Sequence, residues 1–344
     1  MKIFILHLSD IHFEKEKNPI SDRVEAIKNV VNKYDISICF IVVSGDIAFS
    51  GKFDEYQIAL GFFTKLKDEI KSAHDSVDIK YVMVPGNHDC NFDNDTNLRK
   101  WLVDNMPRRY KDLDTSIIDQ CTSVQKDFFE FLSKFLNIGN LRGFERIYYK
   151  QDFSINNYKI CFNCYNTAWV SQLHEKQGQI VFPINLVKTA NERFDLVISI
   201  LHHPYNWFES ENVKEFKKHI EQTSDIIITG HEHIIGQAIQ AKITGEINEY
   251  IEGGILQGDT EKDSEFNVII LDLENKKQKV IQYTWKDNIY HEKWDAPKFW
   301  TLLVLGGRYN DPLTWTSPML GLKNLLFSAF FPYFLWCFIS KCTV

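Results

Sequence analysis

The stretch that decides the fold of this chain is Tyr81-Val82-Met83-Val84-Pro85-Gly86-Asn87-His88-Asp89, an apolar run followed by a glycine and three polar residues. The short apolar run predicts a buried strand, and the polar residues stand where that strand ends. Ligands in open α/β sheets gather outside the carboxyl ends of the strands. We therefore expect Asn87, His88 and Asp89 to lie at a functional cleft.

Four more apolar runs along the chain end in the same way. The motifs that follow them are Asp10-Ile11-His12 after Ile3–Leu8, Gly45-Asp46 after Ile36–Val43, His202-His203 after Leu196–Leu201, and Gly230-His231-Glu232-His233 after Ile226–Ile228. A lone Gly-Asp pair is usually a turn with a solvated carboxylate, but five such motifs in sequence are improbable by accident. Their Asp, His and Asn side chains suit two divalent ions such as Mn, Fe, Zn or Ni, rather than a structural zinc held by thiolates.

These five motifs, in this order, resemble those of the calcineurin-like metallophosphoesterase superfamily, over about residues 2 to 286. The resemblance implies an α/β fold in which two mixed β-sheets pack face to face with flanking helices. It also implies hydrolysis of a phosphate ester by metal-activated water. By motif position, the first metal would be held by Asp10, His12 and His233, the second by Asn87, His202 and His231, and both by Asp46.

The predicted catalytic residues are His88 and Asp89, which follow the ligand Asn87 directly. An imidazole that titrates near neutral pH is suited to protonating the leaving oxygen, so His88 is the expected general acid. The alternative is that His88 only packs or orients Asp89. Family motifs favour His202 over His203 as the ligand, and His203 could instead contact substrate or cap the strand.

The substrate is less clearly encoded than the metals. The Gly-Asn-His-Asp form and the spacing look most like the cyclic-nucleotide phosphodiesterase and nuclease branches, which favours a phosphodiester such as a cyclic nucleotide or a nucleic acid. The alternatives are a phosphomonoesterase, or an interaction module of a larger assembly that keeps the fold. A net charge of -7 and a pI near 5.9 argue against a surface that coats nucleic acid generally.

The composition and periodicity predict a single globular domain over residues 1–293. Strand and helix patterns alternate through the first hundred residues, with helices at residues 24–34 and 54–70. Residues 91–147 form a predicted helical insertion over the cleft, with one helix from Ser116 to Leu136. A second set of strands follows, with helices at Ile184–Arg193 and Asn212–Gln222.

Two further features bear on the compartment of the protein. Its seven cysteines have no regular spacing, which predicts a reducing, cytoplasmic environment and buried thiols at Cys161 and Cys164. Residues 294–344 form a hydrophobic tail, in which Lys323 is the one charged residue between Pro318 and Ile339. This tail has three interpretations: a membrane anchor, a segment packed on the domain or a partner, or the remnant of a truncation or frameshift.

Overall fold

The computed structural model describes residues 1–187, 192–233, 235–241, 247–258, 260, 263–293 and 301–302. Its strands are β1 Lys2–Leu8, β2 Ile38–Val43, β3 Asp78–Met83, β4 Tyr148–Ile155, β5 Tyr158–Tyr165, β6 Leu196–Leu201, β7 Ile226–Thr229, β8 Gly236–Ala241, β9 Ile247–Glu252, β10 Glu265–Asp272, β11 Lys277–Lys286, β12 Ile289–Glu292 and β13 Thr301–Leu302. The α-helices are α1 Val24–Val31, α2 Phe53–Ala73, α3 Asn97–Asn105, α4 Thr115–Cys121, α5 Lys126–Leu136 and α6 Asn212–Thr223.

The strands form two mixed sheets, as predicted. The first has the order β12-β11-β10-β1-β2-β3, with β13 also paired to β11, and the second has the order β4-β5-β6-β7-β9-β8. In the first sheet β1, β2 and β3 are parallel, and β10 is antiparallel to β1. In the second sheet β5, β6, β7 and β9 are parallel. Parallel neighbours place the carboxyl ends of β1, β2 and β3 at one edge, and those of β6 and β7 at one edge of the other sheet.

The two sheets share one hydrophobic core. Phe40 on β2 contacts Phe153 on β4 and Phe162 on β5, with ring centroids 5.0 and 4.8 Å apart. Every residue of β2 is buried, which fits a strand covered on one face by helices and on the other by the second sheet. The continuous apolar runs of the sequence are therefore central strands between two packed layers.

The predicted helices next to the first sheet are confirmed as α1 and α2. Their apolar positions recur with helical spacing, so each helix buries one stripe against the sheet. The helix predicted at Asn212–Gln222 is confirmed as α6, which buries Phe216 and Ile220 in a second apolar cluster.

The insertion differs from the single long helix predicted for it. Two helices, α4 and α5, are separated by a 3-10 turn at Thr122–Gln125. The hydroxyls of Thr122 and Ser123 donate to carbonyls in the preceding turn, and the Val124 carbonyl accepts from the Asn91 N–H instead of a following helical residue. These bonds compete with the helical ladder and end it.

The insertion also contains α3, which the apolar periodicity did not predict. This helix begins after Thr96, whose hydroxyl accepts from the Arg99 N–H. The insertion packs on the body of the protein through α5, where Phe131 stacks on Tyr56 of α2 at 5.3 Å.

One element of the second half was placed wrongly from the sequence. The helix predicted at Ile184–Arg193 is a 3-10 turn at Ile184–Leu186, and residues 188–191 lie outside the described part.

The thiols of Cys161 and Cys164 are buried and free. The hydrophobic tail predicted over residues 294–344 lies outside the described residues, apart from Thr301–Leu302. Among the helices of the described ranges, none combines the length and apolar character needed to cross a bilayer.

Candidate metal centre

Five loops meet where the strands of both sheets end. Backbone hydrogen bonds tie them together: Asp10 N–H donates to the Gly45 carbonyl at 3.2 Å, and Gly230 N–H donates to the His202 carbonyl at 3.0 Å. The His231 N–H, from the second sheet, donates to Asp10 Oδ2 of the first sheet at 3.2 Å. The motifs that the sequence placed after separate strands therefore form one site.

The first donor group consists of Asp10, His12 and His233, whose ligand atoms lie within 4.8 Å of one another. Asp10 is buried, and its Oδ2 accepts from Ser9 Oγ at 2.5 Å. Asp10 Oδ1 pairs with His233 Nε2 at 3.2 Å without good hydrogen-bond geometry. A buried carboxylate oxygen held in this way is poorly satisfied, and a bound cation between the two atoms would satisfy it.

Burial lowers the pKa of His12 to about 4, although the charges of Asp46 and Asp10 oppose the change. The ring is therefore neutral near pH 7 and has a lone pair to offer. Its Nδ1 is buried without a hydrogen-bond partner. A neutral imidazole beside an orphaned carboxylate is a donor set suited to a divalent ion.

The second donor group consists of Asn87, His202 and His231. Asn87 Oδ1 lies 3.0 Å from both His202 Nε2 and His231 Nδ1, and those two nitrogens are 3.2 Å apart. His202 Nδ1 donates to the Ser44 carbonyl at 2.8 Å, which aims Nε2 at the other donor atoms. Once Nε2 has lost its proton, three electron-rich atoms at these distances fit a common cation.

Charge also favours a cation at this group. Burial lowers the pKa of His202, but the charge and hydrogen bond of Asp46 outweigh burial and raise that pKa to about 10. Burial and the neighbouring His203 and His202 lower the pKa of His231. Either a proton or a metal ion on His202 Nε2 can offset the negative charge of the buried carboxylates. We therefore expect metal binding to release a proton.

Asp46 stands between the two groups. Its Oδ2 lies 3.3 Å from His202 Nε2 and 3.9 Å from His12 Nε2, while its Oδ1 accepts from the His88 N–H at 2.8 Å. Burial opposes ionisation, but His202, His12 and His88 hold the pKa of Asp46 well below its usual range. One charged oxygen is therefore directed at both donor groups.

Two glycines allow this close approach. A Cβ at Gly86 would lie 2.1 Å from Asp46 Oδ1, and a Cβ at Gly45 would lie 2.3 Å from His202 Nδ1. Gly45 also has a φ of +109°, which L side chains rarely adopt. The glycines of the Gly-Asp and Gly-Asn-His-Asp motifs are required for the approach of the loops.

Backbone strain is concentrated at the donor residues. Five of the seven proposed ligands have positive φ: Asp10 at 51°, His12 at 52°, Asp46 at 53°, His231 at 75° and His233 at 55°. Left-handed conformations of this kind cost about 1 kcal/mol or more per non-glycine residue and persist where the surroundings enforce them. Five such residues at one place are typical of a functional site.

His88 lies beside the first donor group, with its ring centroid 4.5 Å from that of His12. Its Nδ1 lies 2.7 Å from the Phe49 carbonyl, an acceptor, so Nδ1 carries a proton. Nε2 is then the nitrogen that can exchange a proton with a substrate. This orientation is what a general acid at His88 requires.

The model of the family described as calcineurin-like phosphoesterase matches residues 4–234, more than half of the chain. The chain belongs to this family. Members of the family typically bind two divalent metal ions, and the donor groups and the orphaned Asp10 oxygen fit that requirement.

Solved structures to which the chain is similar share little sequence with it. A dimetal phosphatase from Danio rerio is 13% identical with a TM-score of 0.42, over 84% of this chain and 98% of that one. GAP50 of Plasmodium is 12% identical with a TM-score of 0.45, over 89% of each chain. Vacuolar protein sorting 29 from Cryptosporidium parvum is 11% identical with a TM-score of 0.36, over 85% of this chain and 96% of that one. No curated protein matches the chain.

Asp89 occupies a different position from the one expected of a residue that touches substrate. It is fully buried and accepts from the N–H groups of Ile47, Ala48 and Gly86 and from the Tyr56 hydroxyl, at 2.9 to 3.2 Å. Burial and the charge of Asp46 raise its pKa to about 6. These contacts favour a positioning role, in which Asp89 ties the Asp46 loop to the Asn87 loop, over the predicted catalytic one.

His203 lies close to the second donor group, with a ring nitrogen within 4.8 Å of the ligand atoms of His202 and His231, but its ring nitrogens have other partners. Its Nδ1 is 2.9 Å from Thr167 Oγ1 and its Nε2 is 3.0 Å from Glu175 Oε2, so both ring nitrogens are occupied. His202 in contrast directs Nε2 at Asn87 and Asp46. The geometry therefore supports His202 as the ligand of the pair.

Sequence reasoning missed the residues that support the ligands. Glu175 and Thr167 fix His203, and Trp207 lies edge-on to His231 with ring centroids 4.2 Å apart while donating to Glu232 Oε1 at 2.6 Å. Glu175 and Thr167 follow no motif and had no signal in the sequence. Trp207 lies just after the His202-His203 pair, and this proximity was the one available hint.

Proposed function

We propose that this protein is a dimetal-dependent phosphodiesterase, with a cyclic nucleotide, a nucleic acid or a related phosphodiester as substrate. The observation that carries the proposal is the convergence of seven donor side chains in two groups, with Asp46 Oδ2 near His202 of one group and His12 of the other and a buried oxygen of Asp10 left without a hydrogen bond. The oxygen and imidazole donors suit Mn, Fe, Zn or Ni.

The metals, when bound, would polarise the phosphoryl group and activate the attacking water. Asp46 would hold both metals because one of its oxygens faces both donor groups. Asn87 contributes an uncharged oxygen, which leaves the site more positive toward an anionic phosphate than a carboxylate would. His88 has its Nδ1–H anchored on the Phe49 carbonyl, and it would deliver a proton from Nε2 to the leaving oxygen.

The charges around the site favour a diester over a monoester. A groove beside the first donor group is lined by its two histidines and by Glu14, Lys17, Pro19, Phe49, His88, Ile255, Gln257, Gly258 and Thr260. Among these described lining residues, the one lysine is matched by one glutamate. A diester carries one negative charge and a monoester close to two at neutral pH, so this nearly neutral wall suits the diester better.

The test is hydrolysis of bis(4-nitrophenyl) phosphate and 4-nitrophenyl phosphate by full-length protein loaded in turn with each of the four metals. We expect kcat/KM for the diester to exceed that for the monoester by about tenfold or more. Metal content measured on the same samples should be two per chain in the active form. A reversed ratio would assign the site to monoesters.

The same experiment tests the alternative that the protein is an interaction module and not an enzyme. A protein that binds two metals yet hydrolyses neither ester, nor a panel of cyclic nucleotides and oligonucleotides, would contradict the enzyme proposal. An active-site control is His202→Asn, which should lose hydrolysis if the metal site is responsible.

A further inference from the structure

Phe49 exposes a hydrophobic ring at the mouth of the candidate metal centre. Its exposed fraction is 48%, and it lines the groove of about 400 Å³ that also contains His12, His88 and His233. A volume of this size accommodates a small organic ligand such as a nucleotide. An apolar ring that remains half exposed beside charged donors has a hydrophobic surface to offer to such a ligand.

The position of Phe49 is set by the backbone around it. Its N–H donates to the Phe13 carbonyl at 3.1 Å, and its own carbonyl accepts from His88 Nδ1 at 2.7 Å. The Phe49 ring lies against the His88 ring, with centroids 5.5 Å apart and an interplanar angle of 42°. It meets the His12 ring edge-on at 6.2 Å. The ring is therefore ordered before any ligand binds, which reduces the entropy lost on binding.

The location of Phe49 places its ring beside the organic group of a bound phosphate ester. In the proposed reaction the phosphoryl group lies at the donor groups and an ester oxygen lies near His88 Nε2. Because Phe49 touches His88 and borders the groove, the organic group on that oxygen passes along the Phe49 ring. A planar aromatic group would gain stacking there, whereas a sugar or an alkyl chain would gain much less.

We propose that Phe49 is a stacking platform for the base of a nucleoside phosphate, and that it selects nucleotide substrates for this site. The inference rests on the proposed phosphodiesterase function for the placement of the phosphate. Stacking of a base on an aromatic side chain corresponds to about a 5- to 150-fold gain in affinity.

The experiment compares two ligands that differ only in the base, adenosine 5′-monophosphate and ribose 5-phosphate, by titration calorimetry with full-length, manganese-loaded protein. Wild type should bind the nucleotide about tenfold or more tightly than the sugar phosphate. Phe49→Ala should reduce that ratio to within about twofold and leave the affinity for ribose 5-phosphate unchanged. Phe49→Trp should restore the preference.

Phe53 provides a matched control, because it is a phenylalanine with the same exposed fraction of 48% that does not line the groove. Phe53→Ala should keep the wild-type ratio. Equal affinities of wild type for the two ligands, or an unchanged preference in Phe49→Ala, would overturn the inference.

Hydrolysis of bis(4-nitrophenyl) phosphate by the same wild-type preparation separates the two proposals. Hydrolysis without a preference for the nucleotide would contradict the role of Phe49 and leave the phosphodiesterase standing. A preference that depends on Phe49 without hydrolysis would support the stacking platform and contradict the phosphodiesterase.

Discussion

Asp46 is the residue on which both donor groups depend. Its Oδ2 faces His202 and His12, and its Oδ1 is held by the His88 N–H. An asparagine would preserve the shape of the side chain but would lose the negative charge that offsets the repulsion between two dications. The consequence can be measured as metal stoichiometry.

We predict that Asp46→Asn binds close to no metal after dialysis, where wild type binds two ions per chain, because both donor groups lose their shared charge. His12→Ala should retain about one ion, because His12 belongs to the first group alone. Elemental analysis of the dialysed proteins measures both values. Two ions retained in Asp46→Asn would show that Asp46 does not bridge.

His88 can be tested separately from metal binding through the leaving group. A nitrophenolate leaves readily without a proton, whereas a nucleoside alkoxide does not. We predict that His88→Ala lowers kcat about 10²- to 10⁴-fold on a nucleoside diester and much less on bis(4-nitrophenyl) phosphate. Metal content should stay near wild type.

The control for His88 is His291→Ala, which removes an exposed histidine of β12 and should leave both rates unchanged. Equal losses on the two substrates would mean that His88 positions the phosphate or the metals and does not act as the acid.

At the scale of secondary-structure elements, Glu249 links strands of both sheets. It lies on β9, is 2% exposed, and accepts from Gln237 on β8 at 2.5 Å and from Gln278 on β11 of the other sheet. Burial raises the pKa of Glu249 from 4.5 to about 7. The folded protein therefore binds a proton here that the unfolded chain releases at lower pH.

A raised folded-state pKa gives stability that is fully present below about pH 4.5 and is lost as pH rises through about 7. We predict that wild type loses up to about 3 kcal/mol more of its unfolding free energy between pH 5 and 8 than Glu249→Gln does. Urea unfolding of both proteins in chelator measures the difference, because contributions from other groups cancel. Parallel pH profiles would contradict the prediction.

At the scale of the whole molecule, the proposed ligands and the described groove residues all come before the apolar tail in the sequence. The proposed ligands end at His233, the described groove residues end at Thr260, and β12 ends at Glu292. We propose that the apolar tail beyond residue 296 is not needed for the chemistry, and its behaviour toward membranes distinguishes an anchor from a packed segment or a remnant. Ending the chain at residue 296 removes β13, which pairs with β11 through two residues.

We predict that the chain ended at residue 296 folds, binds two metals and keeps its activity, while full-length protein partitions more strongly into detergent or liposomes. Phase partitioning and flotation measure the second outcome. Leu335→Asp in the full chain is a control that should weaken partitioning without truncation. Equal partitioning of the two chains would contradict the anchor, and loss of folding would place the tail in the core.

Much of this protein could be predicted from local patterns in the sequence. The apolar runs before Asp10, Asp46 and Asn87 are short and nearly continuous because β1, β2 and the end of β3 are buried, so run length indicated strands. The metal ligands could also be predicted from the sequence, because aspartate, histidine and asparagine seldom recur at strand ends in that order for structural reasons alone. Both signals depend on residues close together in the chain.

The remaining features depend on contacts between segments that are far apart in the chain, and local sequence patterns do not record such contacts. The division of the insertion into α4 and α5 follows from the bond between Asn91 and Val124, and the choice of His202 over His203 is supported by Glu175 and Thr167. The groove joins Phe49 to Gln257, and the left-handed backbone at five ligands is enforced by neighbouring loops. Sheet order and loop packing bring these groups together, because hydrogen bonds and burial between segments are set when the two sheets close on their common core.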